Sequence, residues 1–190
     1  METFLSVCMG IGLSAACGFR VFVPPLILSI AGLTGHVHLS PGFSWIATWP
    51  ALIALATATL LEIAAYYIPW LDHLLDSIAT PAAVVAGILV ASSLITGMDP
   101  WMRWTMAVIA GGGAAGLVQG ATVVARAVST GTTGGLTNPL VSTAEAGGSF
   151  TLSLLAVLVP VIALVMVLLF GILIIHLARR KKPKPVWRNP

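Results

Sequence analysis

Charged residues are scarce in this sequence. They make up 8% of its 190 residues, where a soluble domain carries about 25%. Because 58% of the residues are hydrophobic, an ordinary water-soluble globule is excluded. Lysine is missing from residues 1–178, which leaves no basic surface there for nucleic acid.

Cysteine is also scarce, with Cys8 and Cys17 as the full set. Their spacing places them on opposite faces of a helix, so we expect two apolar packing residues rather than a disulfide. The sequence lacks a nucleotide loop, a nucleophile elbow, a zinc site and a haem motif, so we expect no cofactor. No basic residue precedes Arg20, and without a basic start the first apolar stretch is expected to be a retained span rather than a signal peptide.

Long apolar runs are abundant. About 20 apolar residues span a bilayer as a helix, and five runs stand out, at residues 3–33, 48–69, 81–97, 104–128 and 150–178. They predict an all-α polytopic membrane protein of five or six spans, with residues 1–178 as one domain. We expect the first run to bend, break or re-enter at Pro24 and Pro25, and Pro160 to kink the last run.

The charge distribution predicts the orientation. Six of the nine Lys and Arg residues lie in residues 179–190, whereas residues 1–178 hold three Arg against six acids. The tail therefore carries a net charge of +6 and the body −3. By the positive-inside rule the tail is cytoplasmic at the inner membrane, and Arg103, in the turn at 98–103, fits the same side. Counting spans back places Pro69 to Thr80 outside.

Two parts of the chain resemble each other. The sequence GLSAACGFR, from Gly12, and the sequence GLVQGATVVAR, from Gly116, each lead to a later GLT. They predict two halves, residues 1–97 and 104–178, that enter the membrane in opposite directions, as in many secondary transporters. The alternative is coincidence, because Gly and Leu are frequent in membrane helices.

Small residues recur within both copies at four-residue spacing, a pattern that lets helix backbones approach closely in lipid. They are Gly10, Ser14 and Gly18 in the first copy and Gly112, Gly116 and Gly120 in the second. If the protein is a non-transporting scaffold or assembly partner, the second set is its interface. We also expect a homodimer, because so few helices enclose little cavity.

Four charged residues lie inside or beside the apolar runs. At mid-bilayer such a side chain costs about 2.5–3.5 kcal/mol, so it usually faces a cavity or a partner. Glu62, with Tyr66 one helical turn later, can exchange a proton or hold a cation, and Glu145 is its counterpart in the second half. Arg20 and Arg126 stay charged and suit pairing with these carboxylates or holding an anion. A structural Arg–Glu pair is the alternative.

Residues 129–148 form a long polar segment with seven Ser or Thr residues and one charge. Hydroxyls and free carbonyls can replace the water around an ion when non-helical backbone lines a cavity. Thr133 and Asn138 therefore join the candidate pathway, and Asn138 before Pro139 predicts a helix start. The alternative is a flexible external loop.

Asp72 and Asp76 lie one helical turn apart with His73 between them, a spacing that could share a metal or bind an amine. A catalytic metal site needs more ligands, so we expect a polar interfacial helix and no metal. A lipid-modifying membrane enzyme that acts through these residues is the third functional alternative.

The sequence GLSAACGFRVFVPPL, followed by a Glu in the next run and then by IPWLDHLLD, resembles a family of small bacterial integral membrane proteins, the domain of unknown function 4126. The resemblance covers nearly all of residues 5–178 and implies a membrane location, but it carries over no catalytic residue. Before Pro69 the sequence reads AAYYI, without the charged residues expected in that family.

These patterns together predict a small transporter or channel, not an enzyme, that passes a small solute or ion, with proton coupling as an option. The predicted pathway residues are Arg20, Glu62, Tyr66, Arg126, Thr133, Asn138 and Glu145.

Overall fold

The protein is all-helical over the residues that its computed structural model describes. These are residues 1–180, with the backbone alone for 69–76, 178 and 180. The helices are α1 (Glu2–Cys17), α2 (Val23–Leu33), α3 (Trp49–Ala65), α4 (Pro69–Leu94), α5 (Pro100–Met106), α6 (Gly113–Thr133), α7 (Asn138–Leu158) and α8 (Pro160–Arg180). A 3-10 turn, Ser44–Ala47, precedes α3, and a π-helical segment, Ala107–Gly112, joins α5 to α6.

Four helical stretches are long and apolar enough to cross a membrane, which agrees with the predicted helical membrane protein. They are Ser77–Leu94, Pro100–Thr133, Asn138–Leu158 and Pro160–Leu177. Three shorter apolar helices, α1 to α3, complete the described bundle.

Prolines mark where most of these helices begin, because a first-turn residue needs no backbone donor. The predicted break near Pro24 and Pro25 is present, and the helix stops at Cys17 so that both prolines lie in the first turn of α2. The distortion predicted at Pro160 is present, but it is a full break rather than a kink. The chain leaves the helical conformation at Val159, with φ −140° and ψ 70°, so the last apolar run belongs to two helices.

Helices α1 and α6 both pack antiparallel to α4. The paired residues are Gly10 with Ala91 and Ser14 with Gly87 for α1, and Gly111 with Ala91 and Gly116 with Val84 for α6 and the π-helical segment before it. The two similar stretches therefore run in the same direction, which does not support the inverted relationship expected from the count of spans. The number of spans counted from the sequence differs from the structure because the first apolar run turns back after α1 and forms two helices.

Helix α8 runs in the same direction as α1, since Ala163 lies against Gly12 and the rings of Phe170 and Phe19 are 6.4 Å apart. The end of α8 and the turn that holds Arg103 therefore lie at opposite ends of the bundle. The expectation that they share a side is wrong, because the last apolar run contains one more reversal than was counted. The start of α4 lies at the α8 end, and residues 181–190 of the basic tail are outside the described residues.

Gly18, which directly follows α1, makes a very close contact with α6. A Cβ atom at Gly18 would lie 2.5 Å from the carbonyl oxygen of Ala115 on α6, so that contact requires glycine. On α6 the predicted stripe divides, because Gly116 faces Val84 of α4, whereas Gly120 is exposed with no described heavy atom within 4 Å of an added Cβ. Gly112 faces Ile88 of α4.

Candidate functional site

Arg20 lies in the break between α1 and α2 and is 1% exposed. Its Nη2 donates to the carbonyl oxygen of Ser142 at 2.8 Å and to the Ser142 hydroxyl at 2.5 Å. The same nitrogen is 3.5 Å from Oε2 of Glu145, one helical turn further along α7. The break thus carries a guanidinium group into the bundle, where α7 supplies its partners.

Arg126 of α6 pairs with the same carboxylate. Its Nε donates to Oε1 of Glu145 at 3.0 Å, and its Nη2 contacts Oε2. This side-by-side arrangement is the strong, oriented form of an Arg–carboxylate pair. One carboxylate therefore serves two guanidinium groups, those of Arg126 and Arg20.

Glu62 of α3 binds backbone rather than a guanidinium group. Its Oε1 accepts a hydrogen bond from the Val21 nitrogen at 2.7 Å, and its Oε2 accepts one from the Phe22 nitrogen at 3.1 Å. These donors stand just before α2, whose N-terminal end favours negative charge. Glu62 therefore caps α2 from another helix and fixes the break that holds Arg20.

Tyr66 connects the two arginines. The guanidinium carbon of Arg20 is 3.9 Å from the centre of the Tyr66 ring, and that of Arg126 is 4.2 Å from it. Both distances are within the range of a cation–π contact. We call Arg20, Glu62, Tyr66, Arg126 and Glu145 the charge cluster, whose members are all between 1% and 8% exposed.

Arg20 has N–H donors that the contacts within the charge cluster do not use. The Nε and Nη1 atoms of Arg20 are buried and have no hydrogen-bond partner in the described structure. Most buried polar groups in proteins are paired, so an unpaired donor calls for a specific explanation. A site for a further acceptor group is one such explanation.

Two clefts reach the charge cluster from different sides. One, of about 400 Å³, lies between α3 and α4 and is lined by Glu62 and Tyr66 together with apolar residues. The other, of about 330 Å³, lies between α6, α7 and α8 and is lined by Glu145 and by Phe19 and Phe170. Each carboxylate of the cluster therefore borders a space that a small group can occupy.

The other two predicted pathway residues form a separate hydroxyl cluster beside the α6–α7 turn. Ser129 donates to Oδ1 of Asn138 at 2.7 Å and shares a hydrogen bond with Thr137, which in turn contacts the Thr133 hydroxyl at 3.1 Å. Ser129 follows Arg126 by one helical turn on the buried face of α6. The hydroxyl cluster is therefore the next polar layer after the charge cluster.

The expected non-helical polar segment at 129–148 is instead mostly helical. Gly134 and Gly135, with φ of +63° and +87°, form a tight turn, and α7 begins at Asn138 as the proline pattern predicted. Hydroxyls satisfy the helix ends, since Thr133 donates to the carbonyl oxygen of Ser129 at 2.8 Å. The polar composition therefore reflects side chains that bond to helix backbone rather than a loop that lines a cavity.

Sequence reasoning missed Ser142, although it lies on the same face of α7 as Glu145. The side chains of Asp72, His73 and Asp76 lie outside the described residues. Among the side chains that the structure does describe, no three His, Cys, Asp or Glu residues are grouped to hold a metal ion.

The helical bundle with its long apolar helices defines a protein of the multi-pass membrane type. The family model described as domain of unknown function (DUF4126) matches residues 7–180. The chain therefore belongs to this family, as its sequence resemblance predicted. Comparison with curated proteins and with solved structures gives no match.

Proposed function

We propose that the protein passes a small solute or ion across the cell's inner membrane through the charge cluster. The carrying observation is that four charges from four separate elements, the α1–α2 break, α3, α6 and α7, lie together in the bundle. Charges are expensive inside a membrane protein and mark substrate pathways where they occur. The two clefts support the proposal, because one is lined by Glu62 and the other by Glu145.

The proposed orientation places the C-terminal tail in the cytoplasm. The hydroxyl cluster and the start of α4 then face the cytoplasm as well. Glu145 is seven residues from the start of α7, so the charge cluster lies about 10 Å in from that end at 1.5 Å per residue. Exposed tryptophans occupy the opposite end, as expected for a membrane interface. They are Trp45, Trp49, Trp101 and Trp104.

Each member of the charge cluster receives a role from its contacts. Arg20 and Arg126 hold an anionic group, since both remain charged and both already bind a carboxylate. Glu62 and Glu145 handle a proton or cation at the two clefts. Tyr66 keeps the guanidinium groups oriented through its ring.

Flux measured with purified protein in liposomes tests this proposal. The probes are protons, followed with an enclosed pH-sensitive dye, and labelled inorganic phosphate and acetate. The Glu62→Gln variant should reduce flux by about tenfold or more, which corresponds to at least about 1.4 kcal/mol, since an amide can neither exchange the proton nor balance the charge of a cation. Glu2→Gln is the matched control, because Glu2 is exposed at the opposite end of the bundle. Arg20→Lys provides a second variant that keeps the charge but loses the planar fork.

Unchanged flux in both Glu62→Gln and Arg20→Lys, with both variants monodisperse, would contradict the proposal and leave the structural Arg–Glu pair as the explanation. Absence of flux of every probe through the unmodified protein would do the same.

A membrane scaffold is the second candidate, and the exposed position of Gly120 is the observation in its favour. Gly112 and Gly116 contact α4 of the same chain, so a change there disturbs the fold rather than an interface. Gly120→Leu is therefore the informative variant. Loss of a homodimer or of a larger complex in this variant, with flux absent throughout, would favour the scaffold.

A further inference from the structure

We infer that Glu145 is a tethered substitute for the anion that the charge cluster binds, and that this anion is a phosphate-type oxyanion. The inference rests on the proposed function, because it names the substrate class of the same site. It is carried by the contacts of Arg20, Arg126 and Glu145.

The first step compares donors with acceptors. A guanidinium group has five N–H donors, whereas a carboxylate offers two oxygens. Glu145 contacts Nε and Nη2 of Arg126 and Nη2 of Arg20. The Nε and Nη1 atoms of Arg20 remain buried without a hydrogen-bond partner. A tetrahedral oxyanion, with three or four oxygens, can accept from more of these donors than the carboxylate does.

The second step concerns access. Glu145 is the charged residue among those that line the 330 Å³ cleft, whose other lining residues include Thr122, Phe19 and Phe170. Rotation of the Glu145 side chain into this cleft would remove the carboxylate from Nη2 of Arg20 and from Nε and Nη2 of Arg126. An anion that enters by the cleft would then take the place of the carboxylate.

The third step concerns the side chains that would remain. The ring of Tyr66 contacts both guanidinium groups, and Ser142 holds Nη2 of Arg20 by two hydrogen bonds. Neither contact depends on Glu145. Two oriented guanidinium groups are the donors that proteins use to bind phosphate with defined geometry.

Two sources could deliver such a group, free phosphate or the phosphomonoester headgroup of a lipid. The cleft at Glu145 is mostly apolar and shares Phe19 and Phe170 with a neighbouring cavity of about 190 Å³. The shared chemistry is the oxyanion, and the two sources form separate arms of the test.

In the first arm, thermal unfolding of the purified full-length protein is followed while inorganic phosphate is titrated at constant ionic strength, with chloride as reference. We expect Glu145→Gln to bind phosphate at least about tenfold more tightly than the unmodified protein, since the tethered competitor is gone. Glu2→Gln should match the unmodified protein. Adding Arg20→Met to Glu145→Gln should abolish the gain.

In the second arm, the same proteins are incubated in mixed micelles with phosphatidic acid or phosphatidylcholine, and retained phospholipid is counted. Selective retention of phosphatidic acid by Glu145→Gln identifies the headgroup as the source. If neither arm shows tighter binding in Glu145→Gln, or if Arg20→Met leaves the gain intact, the inference is overturned. Should Glu145→Gln fail to fold, Glu145→Asp is the substitute variant, and it should show a smaller gain in the same direction, because its shorter side chain draws the competing carboxylate away from Arg20.

Binding and flux separate this inference from the proposed function. Phosphate binding without flux of any probe would overturn the transport proposal and keep the oxyanion site. Flux without tighter binding in Glu145→Gln would keep transport and overturn the assignment of Glu145 as a substitute anion.

Discussion

Neutralising Glu145 should destabilise the protein more than neutralising Glu62, although both acids are buried. The Glu145→Gln change leaves Arg20 and Arg126 without their shared counter-charge and turns an amide donor toward a guanidinium donor. Breaking a buried ion pair by removing one partner costs about 3–5 kcal/mol. Glu62 instead accepts two backbone hydrogen bonds, and leaving a buried uncharged donor unsatisfied costs about 1–3 kcal/mol.

The assay for this ordering is thermal unfolding in detergent, followed by circular dichroism with chloride as the anion. In a chain of this length each kcal/mol shifts the melting temperature by roughly 2–4 °C. We therefore expect a decrease of roughly 6–20 °C for Glu145→Gln and a smaller one for Glu62→Gln. The exposed control Glu2→Gln should change stability by less than about 0.5 kcal/mol. Equal decreases, or a larger one for Glu62→Gln, would refute the reasoning that Glu145 carries the counter-charge for two arginines.

Two further predictions concern packing and orientation. Gly18→Ala should lower the free energy of unfolding by about 1–3 kcal/mol through overpacking against Ala115, whereas Gly120→Ala should raise it slightly. Chemical unfolding measures both changes, and equal effects of the two variants would contradict the assigned contacts. Cysteines introduced at Trp101 and at Leu136, which are 81% and 86% exposed, should react with a membrane-impermeant maleimide from opposite sides of sealed vesicles. The natural cysteines Cys8 and Cys17 are fully buried and should give little background labelling. Labelling of both introduced cysteines from the same side would overturn the described arrangement of the helix ends.

The helical architecture was predictable from apolar runs and from prolines at helix starts. The number of chain reversals was not predictable. Hydrophobicity indicates burial in lipid or protein, and it is equally high before and after a turn. Prolines indicated an interruption in the first and last runs, but not the two reversals of the chain that follow Cys17 and Val159. Their positions depend on tertiary contacts, such as the cap that Glu62 provides to α2, which lies 40 residues away in the sequence.

The members of the charge cluster were predictable from the cost of placing charge in an apolar environment. The contacts that each member makes were not predictable, since separation along the sequence does not give the distance between two residues in the fold. Pairing of Glu62 with an arginine was one alternative from the sequence, whereas its carboxylate accepts hydrogen bonds from the backbone nitrogens of Val21 and Phe22. Ser142, which holds Arg20 from α7, was missed because a serine in a polar stretch carries no sign of its partner.

The long-range pairing of Arg20 has a consequence for biosynthesis. Arg20 is made early, yet Ser142 follows it by 122 residues, so the nascent chain carries Arg20 without its hydrogen-bond partner until α7 emerges. Helices α1 and α2, at 16 and 11 residues, are also short for independent insertion into the bilayer. We therefore expect the hairpin of α1 and α2 to reach its final depth only after α7 has been made. Truncated chains that end before α7 should be degraded by membrane quality control.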